Sequence, residues 1–258
     1  MSRHLCSFSS VLAVVLLTST AGAYAADKIS PAVSAAVTDA GRPDADKERD
    51  ATRKPAESVA FAGIKKGDKV ADLLPGRGYF TRIFSKVVGD SGTVYAVTPP
   101  PRPNAPAGAP DPAAAVTEIA ANAAYKNVKV HKGSLPELTV PEPVDVVWTS
   151  LNYHDIRNLP NDGYVAFNKS VFTALKPGGT YMVVDHAAAP GSGTRDTSTL
   201  HRIDPEIVKK EVTAAGFVFE GAGDFLKNPE DAHDSRVHEE TIRGKTDQFI
   251  LKFRKPKS

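Results

Sequence analysis

The fold of this chain is decided by the stretch VADLLPGRGYFT, residues 70–81. An apolar strand over Lys69–Leu74 runs into a turn that carries Gly76 and Gly78, and a helix follows over Tyr79–Val88. Glycines in such a turn let a ligand approach the backbone, and the free amides at the start of the helix favour negative or polar ligand groups. The stretch therefore predicts a strand–turn–helix unit that binds a ligand.

The same turn argues against a dinucleotide cofactor. A nicotinamide-binding turn has the pattern G-x-G-x-x-G, in which the third glycine lets the helix pack closely on the strand. Here Gly76 and Gly78 are followed by Tyr79, Phe80 and Thr81, so the third glycine is missing. An oxidoreductase of that kind is therefore disfavoured.

Outward from this stretch, strands alternate with helices. The pattern predicts further strands at Thr93–Val97, Val128–Lys132, Val144–Ser150, Thr180–Asp185, Phe217–Phe219 and Gln248–Phe253, and further helices at Pro112–Tyr125, Asp162–Leu175 and Pro205–Ala215. Strands that alternate with helices of ten or more residues require a mostly parallel sheet covered on both faces. The sequence thus predicts an α/β protein with a doubly wound sheet.

The first 54 residues are predicted to lie outside this domain. A weakly basic start, the apolar run Val11–Leu17 and the site Ala23-Tyr24-Ala25 occur in the order of a secretory signal, so residues 1–25 are expected to be cleaved and the protein exported. A buried N-terminal helix is the alternative. Residues 26–54 are predicted as an arm and a helix, with helical patches at Pro31–Thr38, expected to be a loose arm, and at Asp44–Arg53, expected to pack on the domain, which spans 55–258.

Composition limits the partners. The chain has 258 residues, 41% of them hydrophobic and 24% charged, which is ordinary for a globular protein. Its 32 basic and 30 acidic residues give a net charge of +2 without a concentrated basic tract, so nucleic acid is not expected as a partner. The apolar run is shorter than the roughly 20 residues that span a bilayer, so no stable membrane insertion is expected. The sole cysteine, Cys6, lies in the predicted signal, which leaves no thiolate for a metal or for catalysis.

Three segments together resemble the class I S-adenosylmethionine-dependent methyltransferases. Asp72, Gly76, Gly78 and Tyr79-Phe80-Thr81 match the first motif of that family, and Leu175-Lys176-Pro177-Gly178-Gly179-Thr180 matches its helix-to-strand joint. The third segment is the strand Val144–Trp148, which leads to Leu151-Asn152-Tyr153-His154-Asp155. The resemblance covers roughly 55–255 and is nearest to exported methyltransferase-like proteins of unassigned substrate. It implies a Rossmann-like, mostly parallel seven-stranded sheet with a closing antiparallel strand.

The resemblance also implies a cofactor site. S-adenosylmethionine is the expected cofactor, and its expected contacts are Asp72, Gly76, Gly78, Tyr79, Thr98, Ser134 and Asn152. Three positions depart from the family pattern. Leu74 stands where the first glycine is usual, Thr98 replaces the acid that grips the ribose hydroxyls, and Ser134 replaces an acid near the adenine amine.

Acceptor chemistry is predicted at the ends of the fourth and fifth strands. His154 is the candidate base, Asp155 its orienting partner, and Tyr153 shapes the pocket; a hydrogen-bonded loop residue is the alternative role for His154. By residue type, Asp155, Asp185 and His186 could be metal ligands. No fixed ligand spacing supports them, so no metal is predicted. Arg195, His201 and Arg202 are candidates for binding an anionic acceptor, with a solvated loop as the alternative.

Two functions follow from these predictions. The first is S-adenosylmethionine-dependent methyl transfer to a small-molecule acceptor by an exported enzyme. The second is a non-catalytic protein that binds a nucleoside-type ligand on a degenerate methyltransferase fold, which the departures at Leu74, Thr98 and Ser134 would favour.

Overall fold

The computed structural model describes residues 29–101, 104–106 and 108–257, and the predicted signal peptide at 1–25 lies outside them. Its centre is a seven-stranded sheet in the order β3-β2-β1-β4-β5-β7-β6. The strands are β1 (Lys69–Leu73), β2 (Thr93–Thr98), β3 (Val128–Lys132), β4 (Val144–Ser150), β5 (Leu175–His186), β6 (Val218–Gly223) and β7 (Gln248–Arg254). Neighbouring strands β1 to β5 are parallel, whereas β7 is antiparallel to both β5 and β6. The predicted doubly wound, mostly parallel sheet with an antiparallel strand is confirmed.

Helices cover both faces of the sheet. They are α1 (Pro31–Val37), α2 (Asp44–Lys47), α3 (Asp50–Arg53), α4 (Pro55–Ala62), α5 (Tyr79–Val88), α6 (Ala114–Ala121), α7 (Tyr153–Arg157), α8 (Gly163–Ala174) and α9 (Pro205–Ala214). Successive side chains of β4 point to opposite faces, so Val146 and Trp148 join the core under α1, α4, α5 and α6. Val147 joins the second core, under α7, α8 and α9.

The N-terminal segment differs from its prediction. The expected loose arm is wrong, because α1 packs on α5 with Val33 and Ala36 each only 2% exposed. These two apolar residues lie three apart, on one face of the helix. The expected single helix over Asp44–Arg53 is two short helices, α2 and α3. The chain turns between them, and Asp50 in α3 accepts two hydrogen bonds from the Arg42 guanidinium, of 2.7 and 2.8 Å.

Two other elements also differ. The sequence pattern predicts no helix between β4 and Asp162, whereas Tyr153–Arg157 forms the helix α7. Strand β5 begins at Leu175 rather than Thr180, because Leu175 pairs with Val144 across a bulge and extends the strand. Among the described helices, none has the length and apolar character needed to cross a membrane.

Candidate functional site

The turn after β1 keeps the backbone shape that glycine usually supplies. Leu74, Gly76 and Gly78 all have positive φ, of 51°, 57° and 77°. Leu74 stands where the resemblance expects a glycine, so its left-handed conformation costs about 1 kcal/mol. The turn is fixed by two hydrogen bonds, from the Leu74 amide to the Val97 carbonyl and from the Gly78 amide to the Pro75 carbonyl, each 2.9 Å. The departure at Leu74 therefore leaves the turn intact.

Gly76 and Gly78 are required for different reasons. A Cβ on Gly76 would meet no atom within 4 Å, so its backbone faces open space. A Cβ on Gly78 would lie 2.2 Å from Cδ1 of Ile119 on α6. Gly76 thus leaves room for a ligand, whereas Gly78 lets α6 pack against the turn. Gly78 does not line the cavity described next, so its expected cofactor contact stays a prediction.

A cavity of about 210 Å³ lies at the carboxyl ends of β1 and β4. The turn after β1 forms one wall, and Ser150, Leu151 and Asn152 form another. The amide nitrogen of Asn152 donates to the Ser150 carbonyl over 2.7 Å, which holds that side chain at the wall. Three arginines also line the cavity: Arg49, Arg53 and Arg77.

Arg53 is the most unusual of the three arginines. Its guanidinium lies 4.6 Å from the centre of the Tyr79 ring and 5.4 Å from that of Phe80. Burial, together with the nearby charge of Arg49, lowers the pKa of Arg53 to about 10. Within the described part of the chain no carboxylate forms an ion pair with Arg53. A guanidinium in this position is free to bind an anionic group of a ligand.

Asp72 and Tyr79, two of the expected cofactor contacts, also line this cavity. Asp72 is buried and accepts a 2.6 Å hydrogen bond from the Thr81 hydroxyl. Burial raises the pKa of Asp72 to about 7, against the opposing effects of this hydrogen bond and of the Arg53 charge. The Tyr79 hydroxyl donates to Oδ1 of Asp50 over 2.5 Å, so it ties α5 to α3. Tyr79 therefore offers its ring rather than its hydroxyl to the cavity.

A second, much smaller cavity, of about 20 Å³, lies at the ends of β1, β2 and β3. It shares Leu73 and Leu74 with the first cavity, so the two are adjacent along the edge of the sheet. Thr98 and Ser134 both line it. Thr98 is only 2% exposed, and its Oγ1 has no hydrogen-bond partner among the described residues, whereas Ser134 is exposed. An unpaired buried hydroxyl is costly unless a ligand satisfies it.

The structure corrects the partner of His154. Nδ1 of His154 and Oδ1 of Asp185 are 2.8 Å apart, and the His154 amide donates to Oδ2 of Asp185 over 2.8 Å. Asp185, not Asp155, therefore orients the imidazole. Burial disfavours the charged ring, but the Asp185 carboxylate outweighs burial and raises the pKa of His154. Asp155 has a side chain 61% exposed and lies on the other side of the ring, with Oδ2 3.5 Å from Nε2.

Tyr153 does not join this cluster. It precedes His154 on α7 and so points about 100° away around the helix. Its hydroxyl accepts from Nδ2 of Asn168 over 2.8 Å and donates to Oε2 of Glu211 over 3.2 Å. The ring is buried in the core under α8 and α9. The expected pocket role of Tyr153 beside His154 is not supported by this geometry.

Several residues near the site have roles that their positions in the sequence did not indicate. Arg202 was a candidate for binding an anionic acceptor, but it is fully buried and bound to Asp231 over 2.7 and 3.1 Å. Its neighbour His201 lies beside Asp155, with Nδ1 3.6 Å from Oδ1. Arg49 and Arg53 belong to the segment that the sequence predicts as a helix packed on the domain. Nothing in the sequence indicates that they line a cavity. All of these depend on contacts between distant segments.

Comparisons with known proteins give the fold but no family. No protein-family model matches the chain, and no curated protein matches it. Among solved structures, a SAM dependent methyltransferase from Aquifex aeolicus is 18% identical, with a TM-score of 0.56 over 83% of this chain and 98% of that one. A putative methyltransferase of Haloferax volcanii, in complex with the Trm112 methyltransferase activator, is 15% identical, with a TM-score of 0.56 over 88% and 98%.

A third similar structure carries another name. The [4+2]-cyclase SpnF is 17% identical, with a TM-score of 0.54 over 83% of this chain and 82% of that one. Identities this low show a shared fold and leave the reaction to be argued from the site. The chain therefore has the Rossmann-like fold of the S-adenosylmethionine-dependent methyltransferases.

Proposed function

We propose that this protein binds S-adenosylmethionine and transfers its methyl group to a small-molecule acceptor outside the cytoplasm. The observation that carries the proposal is the pair of adjacent cavities at the carboxyl edge of the sheet. One contains an unpaired guanidinium, on Arg53, and the other an unpaired buried hydroxyl, on Thr98. Ligands of doubly wound sheets bind at this edge.

The described residues fit the chemical groups of this cofactor. A ribose hydroxyl that reaches Thr98 would satisfy its unpaired Oγ1. An amino-acid carboxylate in the larger cavity would pair with Arg53, and the open backbone at Gly76 would allow the chain between them to pass. When bound, the cofactor supplies an electrophilic methyl group for in-line displacement. The protein then contributes mainly positioning and exclusion of water.

A small, non-nucleic-acid acceptor agrees with the charge of the chain. Basic and acidic residues nearly balance, 32 against 30, whereas binding to a phosphate backbone needs a basic surface. His154 at the end of β4 is the proposed acceptor-side residue, and Asp185 leaves its Nε2 as the reactive nitrogen. Its role as a general base stays a prediction.

A second candidate function is ligand binding without methyl transfer. Thr98 gives the cofactor a neutral hydroxyl where the family pattern has a carboxylate, which removes a charge-assisted hydrogen bond. The cofactor is also made inside cells, whereas this chain is proposed to be exported. The similar structure named as a cyclase supports a role for this fold other than methyl transfer.

Calorimetric titration with S-adenosylmethionine and S-adenosylhomocysteine tests the proposal, followed by transfer assays with labelled donor and a panel of small acceptors. We expect saturable binding of both ligands. Arg53→Met keeps the apolar packing on Tyr79 but removes the charge. It should therefore lower the affinity for both ligands by about 10-fold or more.

Arg243→Met is the matched control, because Arg243 is exposed and does not line either cavity. Absence of binding to either ligand would contradict the proposal. Binding without transfer to any acceptor would favour the second candidate function.

A further inference from the structure

Three side chains with metal-binding atoms meet beyond the carboxyl ends of β4 and β5. One ligand atom from each of His154, Asp155 and His201 lies within 4.8 Å of the other two. We propose that these three residues bind one divalent transition-metal ion of the zinc type. The proposal goes beyond methyl transfer and does not depend on it.

The spacing of these atoms suits a tetrahedral ion. Nε2 of His154 is 3.5 Å from Oδ2 of Asp155, and Nδ1 of His201 is 3.6 Å from Oδ1 of Asp155. Ligands at zinc–nitrogen and zinc–oxygen distances of about 2.0–2.2 Å lie about 3.3–3.6 Å apart around a tetrahedron. The two distances end on different oxygens of Asp155, so its exposed carboxylate has to rotate before one oxygen and the two nitrogens can hold a single ion.

His154 is held in the form that a metal ligand needs. Nδ1 lies 2.8 Å from the Asp185 carboxylate, which can only accept while it is ionised, so Nδ1 carries the proton and Nε2 keeps its lone pair. Metal-bound histidines usually have such a carboxylate or carbonyl on the second ring nitrogen, where it fixes the ring and raises its basicity. Asp185 is thus a positioning residue. Three N–H groups already occupy it, which explains why it is not itself a ligand.

His201 is brought to the site by a buried anchor. Its φ is 57°, a strained value for histidine, and such strain persists only where surrounding contacts enforce it. The next residue, Arg202, is fully buried and binds Asp231, the Ala187 carbonyl at 3.0 Å and the Ser235 carbonyl at 3.0 Å. This anchor ties the loop to the end of β5, and so sets His201 opposite Asp155.

One contact must change when the ion binds. Nη2 of Arg236 lies 3.1 Å from Nε2 of His201, and a guanidinium can only donate, so Nδ1 carries the proton in this arrangement. An ion on Nδ1 displaces that proton and requires Nε2–H instead. Arg236 is exposed and can move away. Removing its charge should therefore leave ion affinity unchanged or higher.

The donor set selects the ion and leaves one position open. Two imidazoles and one carboxylate suit zinc, whereas Mg²⁺ prefers oxygen ligands. Three protein ligands leave the fourth tetrahedral position to water or an acceptor oxygen, as in catalytic zinc sites. An ion on Nε2 of His154 uses the lone pair that a base would need, so the two roles are exclusive. This ligand set also differs from the combination of Asp155, Asp185 and His186 that the residue types in the sequence allow. His186 is not available to the ion through Nδ1, because that atom is hydrogen-bonded to Thr246 over 2.7 Å.

The test is titration of the untagged, chelator-treated full protein with Zn²⁺ alone, with Mg²⁺ as a second arm and Co²⁺ as a spectroscopic probe. We expect one Zn²⁺ per chain, no comparable Mg²⁺ binding, and a tetrahedral Co²⁺ spectrum. Asp155→Asn and His201→Asn should each weaken Zn²⁺ by at least about 10-fold. Asparagine tolerates the left-handed backbone at position 201, and Asp155 is exposed, so both variants should fold.

His238→Ala and Arg236→Gln are the matched controls. The His238 ring lies 5.1 Å from that of His201 but is outside the three-residue set, so its loss should leave affinity within about twofold. The proposal is overturned if Zn²⁺ does not bind saturably, or if Asp155→Asn and His201→Asn bind it as well as the parent. It is also overturned if His238→Ala weakens binding as much as they do.

Discussion

At the scale of single residues, the Thr98 hydroxyl links stability to ligand binding. Its Oγ1 is buried without a partner among the described residues, and such a group destabilises a protein by about 1–3 kcal/mol. Thr98→Val removes the hydroxyl at nearly constant size. Without ligand, the free energy of unfolding of the variant should be about 1 kcal/mol higher than that of the parent, and chemical denaturation measures this difference.

The same variant should bind the cofactor more weakly, because the ribose hydroxyl loses its partner. Opposite changes in stability and affinity would identify Thr98 as a ligand contact. A variant that is more stable and binds equally well would place the ribose elsewhere. Thr139→Val is a suitable comparison, since Thr139 is exposed and lines neither of the two cavities.

At the scale of elements, the turn between β1 and α5 contains one glycine needed for its backbone conformation and a second needed also for close packing. Gly76→Ala introduces only an unfavourable positive φ, which costs about 1 kcal/mol. Gly78→Ala adds a clash with Cδ1 of Ile119, and overpacking costs typically about 1–3 kcal/mol more. We therefore expect Gly78→Ala to lower the free energy of unfolding more than Gly76→Ala does.

A double-mutant cycle identifies the source of the difference. Ile119→Val removes the Cδ1 atom, so it should partly rescue Gly78→Ala but leave the effect of Gly76→Ala unchanged. Equal losses for the two alanines, or no rescue by Ile119→Val, would contradict the packing role of Gly78. Thermal or denaturant unfolding of the single and double variants measures this coupling.

Elements with a clear local pattern could be predicted from the sequence. Three elements have the predicted bounds: Tyr79–Val88, Val128–Lys132 and Val144–Ser150. In the first two the apolar residues repeat with the period of the element, and the third is a short apolar run buried on both faces of the sheet. The N-terminal segment could not be predicted. Whether Pro31–Val37 packs depends on an α5 surface some 40 residues further along, and no local pattern contains that information.

The candidate site also has residues that strand order predicts and residues that depend on contacts between distant segments. Gly76 and Asn152 line one cavity, and His154 contacts Asp185 near it, because parallel strands end at one edge, which sequence order and fold class already predict. The pairing of His154 with Asp185 rather than Asp155 depends on the direction that α7 gives the ring. His201 reaches the site only through the buried contact between Arg202 and Asp231, and Arg53 only through packing on Tyr79.

At the scale of the whole molecule, we propose that the exported protein begins at Ala26, after the site Ala23-Tyr24-Ala25. The small residues at 23 and 25 are those that signal peptidase accepts. Mass analysis of the protein recovered from the producing cell should give this N-terminus, and Ala25→Leu should abolish or shift the cleavage. An intact Met1 on exported material would contradict the proposal.

The position of β7 has a consequence for the order in which the molecule forms. Gln248–Arg254 is the last strand along the chain, yet it lies inside the sheet, between β5 and β6. A growing chain cannot join those two strands until Gln248–Arg254 has been synthesised. Such late, long-range pairing slows folding and leaves hydrophobic strands open to chaperones. For the export proposed above, through a channel that threads an unfolded chain, this strand order would help to keep the precursor in the state that the channel accepts.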